Sequence, residues 1–167
     1  MKLTIYRKAF LRAWGLVAPL APERTPKPIL TNVKVHASAE EEVILTATDL
    51  DLSVRAVAPV LSIRGSGTAL LTAKLVSQIL GSMADAQVEI AVDGDKVTIE
   101  GPQAKFKIAT DNPDDFPVFP EITSKNSVAI KQADLRRLIR RVIFAADLES
   151  TKYALGGALV EVEGGRL

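Results

Sequence analysis

Arg136, Arg137, Arg140 and Arg141 are the residues with the plainest chemical purpose in this chain. If Leu135 to Ala146 is helical, a rotation of about 100° per residue puts all four guanidinium groups on one side. Leu135, Leu138, Ile139, Val142, Ile143 and Ala146 then form an apolar stripe on the other. One face wants a core. The opposite face wants anions, which guanidinium groups hold by charge-assisted, often bidentate hydrogen bonds. Arg24 and Lys27 make a second cationic stretch, stiffened by Pro26 and Pro28, whose plain alternative is a solvated connector. Groups suited to catalysis are sparse. His36 stands alone on a strand, where a histidine is ordinarily structural. Asp49 and Asp51 share a strand face and would suit a cation, but no third ligand is in view and a turn role competes. No phosphate-cradling glycine loop, serine elbow or zinc spacing occurs. The chain has no cysteine, which excludes a disulfide scaffold, a thiolate zinc site and a cysteine nucleophile. No active site, metal or cofactor is expected.

The arginine helix belongs to a larger plan. A β-patterned segment, Val128-Ala129-Ile130, precedes it, and the same order stands at the N-terminus: Leu3-Thr4-Ile5, then a stripe of Phe10, Ala13, Trp14, Val17 and Ala18. Each of these lies 125 positions before its counterpart. Ile29 to Val35 answers Ala154 to Val160 in the same register. A period of that length points to a duplicated domain and not to a solenoid, whose repeats run to roughly 20–50 residues. The expectation is one complete unit, residues 1–123, and the start of a second, truncated at 124–167.

Within the first unit the pattern predicts a strand at 2–6, a helix from Arg7 to Ala18 ended by Pro19, and strands at 29–37, 43–48 and 50–58. A short strand at 69–71 leads to a second helix, with Thr72 as N-cap and Leu75, Val76, Ile79, Leu80 and Met83 as its stripe. Strands at 87–92, 96–100 and 104–110 follow, the first two joined by the Asp93-Gly94-Asp95 turn. The proline-broken run from Asp111 to Pro120 reads as the crossing to the next unit. About eight strands and two helices make a sheet-rich α+β domain.

Composition agrees: 47% of the 167 residues are hydrophobic and 25% charged, which is globular material able to bury a core. Net charge is +1, yet residues 1–123 carry 13 basic and 15 acidic groups against 8 and 5 in 124–167. The positive excess is local. A sequence-specific DNA-binding domain ordinarily carries a domain-wide excess, whereas a loose hold on nucleic acid needs only one positive surface. No long apolar run follows the N-terminal charges, so neither a signal peptide nor a membrane span is expected, and the reducing cytoplasm is the expected compartment.

Several segments are less generic: Met1-Lys2-Leu3-Thr4-Ile5; Arg24 followed by Pro28-Ile29-Leu30-Thr31-Asn32; Thr46-Ala47-Thr48-Asp49-Leu50-Asp51; Lys105-Phe106-Lys107-Ile108-Ala109-Thr110; and Asp115-Phe116-Pro117. With Leu135 to Ala146 and Tyr153-Ala154-Leu155-Gly156-Gly157 they resemble, over the whole chain, the bacterial replicative sliding clamp, the β subunit of DNA polymerase III. The resemblance implies the DNA-clamp fold, with antiparallel sheets and two helices per domain. It also implies a non-enzymatic processivity factor of the replicative polymerase: a head-to-tail homodimer ring, three domains per subunit, closed around duplex DNA. Arg24, Arg137, Arg141, Lys152 and Tyr153 are then DNA-contacting positions held to phosphates without reading sequence. Glu149 and Ala154 depart from the family pattern, and a carboxylate near phosphate implies a weaker second-domain contact. Phe106 and Ile108 match an apolar pair at the subunit interface, and Lys74, Lys96 and Lys105 match basic positions facing an acidic patch across that seam. Simple core packing is the competing reading for Phe106. Polymerase and clamp loader bind, in the family, between the second and third domains, outside this chain. The alternative from another class is a β-rich DNA-binding or scaffold domain that shares the fold and does not encircle DNA.

Overall fold

Leu3 and Ile5 alternate with Lys2, Thr4 and Tyr6, so β1 (Lys2–Tyr6) buries one face and leads directly into α1 (Arg7–Val17). The computed structural model describes residues 1–38, 42–119, 127–147 and 156–162, and the chain divides into two units, Met1–Pro120 and Glu121–Leu167. α1 buries Phe10, Ala13, Trp14 and Val17, as its spacing predicts, and passes into a 3₁₀ turn at Ala18–Leu20 where Pro19 ends the α-helical ladder. Phe10 and Trp14 stack with ring centroids 5.9 Å apart. Burying Phe10 alone is worth about 1.5–3 kcal/mol.

α2 (Ala73–Ser82) packs beside α1 and buries Ala73, Val76, Ile79 and Leu80, while Leu75, expected in that stripe, is exposed. Trp14 Nε1 donates to Ser77 Oγ at 3.0 Å, which joins the two helices through a buried indole. The Arg7 guanidinium does the same at the other end, donating to Leu80 O at 2.9 Å and Asp85 O at 2.8 Å. Thr72 precedes α2 but does not cap it. Its hydroxyl donates instead to Oδ1 of buried Asn32, whose Nδ2 donates to Ile29 O and Asp111 Oδ2. Satisfying that buried amide outweighs an exposed cap.

Two antiparallel sheets pack against the buried side of this helix pair. The remaining strands are β2 (Asn32–Ala37), β3 (Val43–Thr48), β4 (Ser53–Ala58), β5 (Ser62–Arg64), β6 (Gly67–Thr72), β7 (Gln87–Asp93), β8 (Lys96–Glu100) and β9 (Lys105–Ala109). They order as β5-β1-β7-β8-β9 and β4-β3-β2-β6. Register builds the core. Ile63, Leu3, Ile90, Ile99 and Phe106 are successive cross-strand partners, an apolar row through all five strands of the first sheet. Gly94, at φ +58°, makes the β7–β8 hairpin turn as its Asp-Gly sequence predicts.

Three expectations for this unit change. Residues Pro28–Thr31 form a 3₁₀ turn, closed by Thr31 Oγ1 donating to Pro28 O at 2.7 Å, so the strand begins only at Asn32. Leu50 and Leu52 do not continue β4. Thr48 Oγ1 accepts from Leu50 N, and Asp49 Oδ1 accepts from the N–H groups of Asp51 and Leu52, bending the backbone into a turn with Leu50 at φ +85°. Asp49 and Asp51 are therefore turn residues and share no strand face. β5 was not expected; it pairs with the outer edge of β1.

The segment after β9 is also more ordered than a crossing. Thr110 Oγ1 accepts from Leu70 N and donates to Leu70 O, sealing the free edge of β6. Beyond a 3₁₀ turn at Pro113–Asp115, Phe116 is buried and meets Phe119 edge-to-face at 6.1 Å. Lys34 and Arg55, from the outer face of the second sheet, stand 5.9 and 5.8 Å from the two ring centroids. The sheet thus carries a small second core on its back.

In the second unit, α3 (Gln132–Val142) is followed by a 3₁₀ turn at Ile143–Ala145. Ser127–Ile130 and the described part of the second expected strand, 156–160, form no strand. Among the described residues of this unit no strand pairs with them, and a β-patterned segment without a ladder leaves its backbone groups to water. None of α3's residues is buried, and Ile139, Val142, Ile143 and Phe144 are all exposed.

Candidate nucleic-acid interface and open sheet edge

α3 places its arginines as the helical projection predicts. Arg136, Arg137, Arg140 and Arg141 are exposed and, with Gln132 and Ala133, line a shallow groove of about 440 Å³. Arg137 is not free. Its Nη2 donates to Asp134 Oδ1, one turn earlier, at 2.9 Å. In the first unit Arg24 and Lys27 are exposed on the loop that leads into the Pro28–Thr31 turn. Lys152 and Tyr153 lie outside the described residues, as do Glu149 and Ala154.

The five residues expected at a subunit interface do not all meet. Lys105, Phe106 and Ile108 share β9, the edge of the five-stranded sheet, and Lys96 is on the neighbouring strand, opposite Ala109. Lys74 stands apart, in the first turn of α2, paired with Glu23 at 2.9 Å. Phe106 and Ile108 partner Ile99 and Val97, so their side chains point to the core side, half buried because no strand covers them further out. Core packing and edge exposure are both true of Phe106. The hydrogen bonds that flank the ladder, Gly101 N to Ala104 O and Thr110 N to Asp95 O, fix its phase. Phe106 and Ile108 turn their backbone groups toward β8, leaving those of Lys105, Lys107 and Ala109 unpaired among the described residues on the open edge. Lys105 also pairs with Glu100, its cross-strand neighbour, at 2.7 Å.

Catalytic geometry does not assemble around the remaining candidates. His36 Nδ1 lies 2.8 Å from Thr68 Oγ1 on the surface, and among the described residues no three His, Cys, Asp or Glu side chains could share a metal ion. No helix of the described residues is long and apolar enough to cross a membrane.

Residues 1–120 match the family model of the DNA polymerase III beta subunit, N-terminal domain. The chain belongs to this family. The beta sliding clamp of Pseudomonas aeruginosa is 31% identical across all of this chain, and that of Chlamydia muridarum is 27% identical across all of it. The chain spans about 45% of the length of each. Among solved structures, the DNA polymerase III subunit beta from Pseudomonas aeruginosa superposes with a TM-score of 0.91 at 31% identity, covering 99% of this chain and 45% of that one. The sliding clamp from Caulobacter crescentus gives 0.85 at 30%, covering 94% and 43%. The two-sheet, helix-pair architecture of the first unit is the fold of these clamps.

Two residues of this β-subunit domain escaped the reading of the sequence. Arg12 is exposed on α1 and lies 125 positions before Arg137, so the repeat itself identifies it. Lys107 is exposed between Phe106 and Ile108, with its backbone groups on the open edge. The same period-2 alternation that selects Phe106 and Ile108 selects Lys107 for the opposite face.

Proposed function

We propose that this chain is part of a non-catalytic sliding-clamp subunit that encircles duplex DNA and tethers the replicative polymerase, with residues 1–123 as its first clamp domain and 124–167 as the start of its second. The observation that carries this is α3: four arginines gathered on one side of a helix, opposite its apolar stripe, in a chain of this family. Arginines on one regular face hold phosphates by charge at many equivalent positions, which gives retention without sequence readout. Arg24, Arg137 and Arg141 contact DNA in this reading, joined by Lys152, Tyr153 and, by the repeat, Arg12.

The open edge of β9 receives the second subunit head to tail, its sheet extended by main-chain pairing. Phe106 and Ile108 are there covered from the side, and Lys96, Lys105 and Lys107 face acidic groups of the partner. The exposed Lys105–Glu100 and Lys74–Glu23 pairs are worth about 0–1 kcal/mol each, so a better-placed partner carboxylate displaces them at little cost. Polymerase and clamp loader bind the full-length protein at a surface outside this chain, in the cytoplasm. The test uses the full-length parent loaded on circular and on linearised DNA. Retention on the circle with loss from free ends is expected. Equal retention on both defeats encirclement and favours a DNA-binding domain that shares the fold without closing around DNA.

A further inference from the structure

α1 and α3 are two copies of one helix, and Arg12 in the first corresponds to Arg137 in the second. The residue one turn before the arginine differs between them: Ala9 in α1, Asp134 in α3. Only the second copy therefore sets a carboxylate against this arginine, at 2.9 Å, with the two side chains 45% and 63% exposed. Among the described residues Arg136, Arg140 and Arg141 carry no such pair. Asp134 sits in the first helical turn, where the helix dipole also favours a negative charge, so two effects hold it in place.

We infer that Asp134 is a built-in competitor for phosphate at Arg137, an inference that rests on the arginine face being the DNA-facing surface. A phosphate that approaches Arg137 meets a guanidinium whose Nη2 is already donating to a carboxylate. It must displace Asp134 or share the donor with it, and in either case a second negative charge stays within a few ångströms. The counterion balance changes too. When phosphate takes Arg137, the released Asp134 recovers a cation from solution, which cancels part of the cation release that drives binding. Arg137 is thereby tuned down while its three neighbours stay available, and the contact is easier to break as DNA moves along the face.

The experiment measures binding of the full chain to a short non-specific DNA duplex across a salt series at low ionic strength. Asp134→Asn is expected to bind about two- to fivefold tighter, the range of exposed ion pairs. Its log–log salt slope should steepen by up to about 0.9, the contribution of one phosphate. Asp93→Asn makes the same change of net charge on the exposed β7–β8 hairpin and is expected to leave both quantities near wild type. Because Asp134 also supports the helix N-terminus, Asp134→Ser is measured as a second variant, with far-ultraviolet dichroism to show that α3 is retained. Arg137→Gln is expected to weaken binding and to abolish the gain from Asp134→Asn. No gain in either Asp134 variant with α3 intact, or an equal gain in Asp93→Asn, overturns the competitor role alone. Unchanged binding in Arg137→Gln overturns the placement of DNA on this face, and Asp134's role with it.

Discussion

Gly101 opens the turn between β8 and β9, and so sets where the edge strand of the five-stranded sheet begins. A Cβ added there would lie 2.5 Å from Asp85 Oδ2, 2.6 Å from its Cγ and 2.9 Å from its Cβ, all well inside van der Waals contact. Asp85 cannot swing away cheaply, being 7% exposed, and its Oδ2 already lacks a hydrogen-bond partner. Gly101→Ala is therefore an overpacking substitution, expected to cost about 1–3 kcal/mol. Asp85→Ala removes Cγ and both oxygens, hence the two closest contacts, and with them a buried carboxylate whose Oδ2 has no hydrogen-bond partner. Its own cost should be small, about 1 kcal/mol or less, because losing an unsatisfied polar atom offsets the lost packing. The double variant should then recover most of the Gly101→Ala loss, a coupling of about 1–2 kcal/mol. Urea unfolding followed by Trp14 fluorescence reads this directly, since Trp14 is the only tryptophan and is buried in the core of the same unit. The reasoning fails if Gly101→Ala costs less than about 0.5 kcal/mol, the scatter of ordinary surface changes. It fails equally if the cost is the same with and without the Asp85 side chain.

Gly15 offers the contrast. It is interior to α1 with nothing within 4 Å of the place a methyl group would take, so Gly15→Ala should raise stability by about 0.5–1 kcal/mol in the same urea assay. Leu50 holds φ +85° while half its surface is exposed, so Leu50→Gly should stabilise by up to about 1 kcal/mol through relief of the left-handed strain; a loss would show that the leucine side chain packs usefully in the turn. Phe116→Ala empties the small core behind the second sheet and should cost about 3 kcal/mol. Phe119→Ala forfeits only an edge contact and one cation–π pair, about 1 kcal/mol, so equal losses by thermal denaturation would contradict the asymmetry of their burial.

What was legible from sequence is what depends on near neighbours. α1, α2 and α3 announce themselves through 3.6-residue periodicity, and the β7–β8 hairpin through Asp93-Gly94-Asp95, because each decision is made within a few residues. Leu50 and Leu52 deceived for the same reason: their alternation is that of a strand, but Thr48 and Asp49 offer side-chain oxygens to the following N–H groups, and those local bonds win. β5 was illegible because three residues carry no period. Val128-Ala129-Ile130 has the pattern of a strand and not the neighbour, which no local rule supplies. The site followed the same division. The arginine face of α3 could be drawn from spacing alone, and so could the Asp134–Arg137 pair, whose three-residue spacing sets the two side chains one above the other on that face. That β9 lies at an edge, leaving Phe106 half covered, is a property of strand order across the whole unit.

Comparing the two copies of the helix separates packing from function. Phe10, Ala13, Trp14 and Val17 correspond to Leu135, Leu138, Ile139 and Val142, so the stripe is apolar in both, as any helix that closes a core requires. The outer face is not preserved. Leu11, which packs partly against the core, and the exposed Gly15 and Leu16 stand in α1 where α3 has Arg136, Arg140 and Arg141, so of the four arginines of α3 only Arg137 has a counterpart, in Arg12. Helix formation does not explain the two leucine-to-arginine differences, since leucine and arginine have nearly equal helix propensities, although glycine is a poorer helix former than arginine at the third. Solubility does not explain it either, since α1 tolerates Leu16 at 68% exposed. What remains is the charge itself: α3 carries four arginines where the matching positions of α1 carry one. α3 is thus the more cationic of the two copies, and the one position where both keep an arginine is the position where α3 sets a carboxylate, Asp134, against it at 2.9 Å.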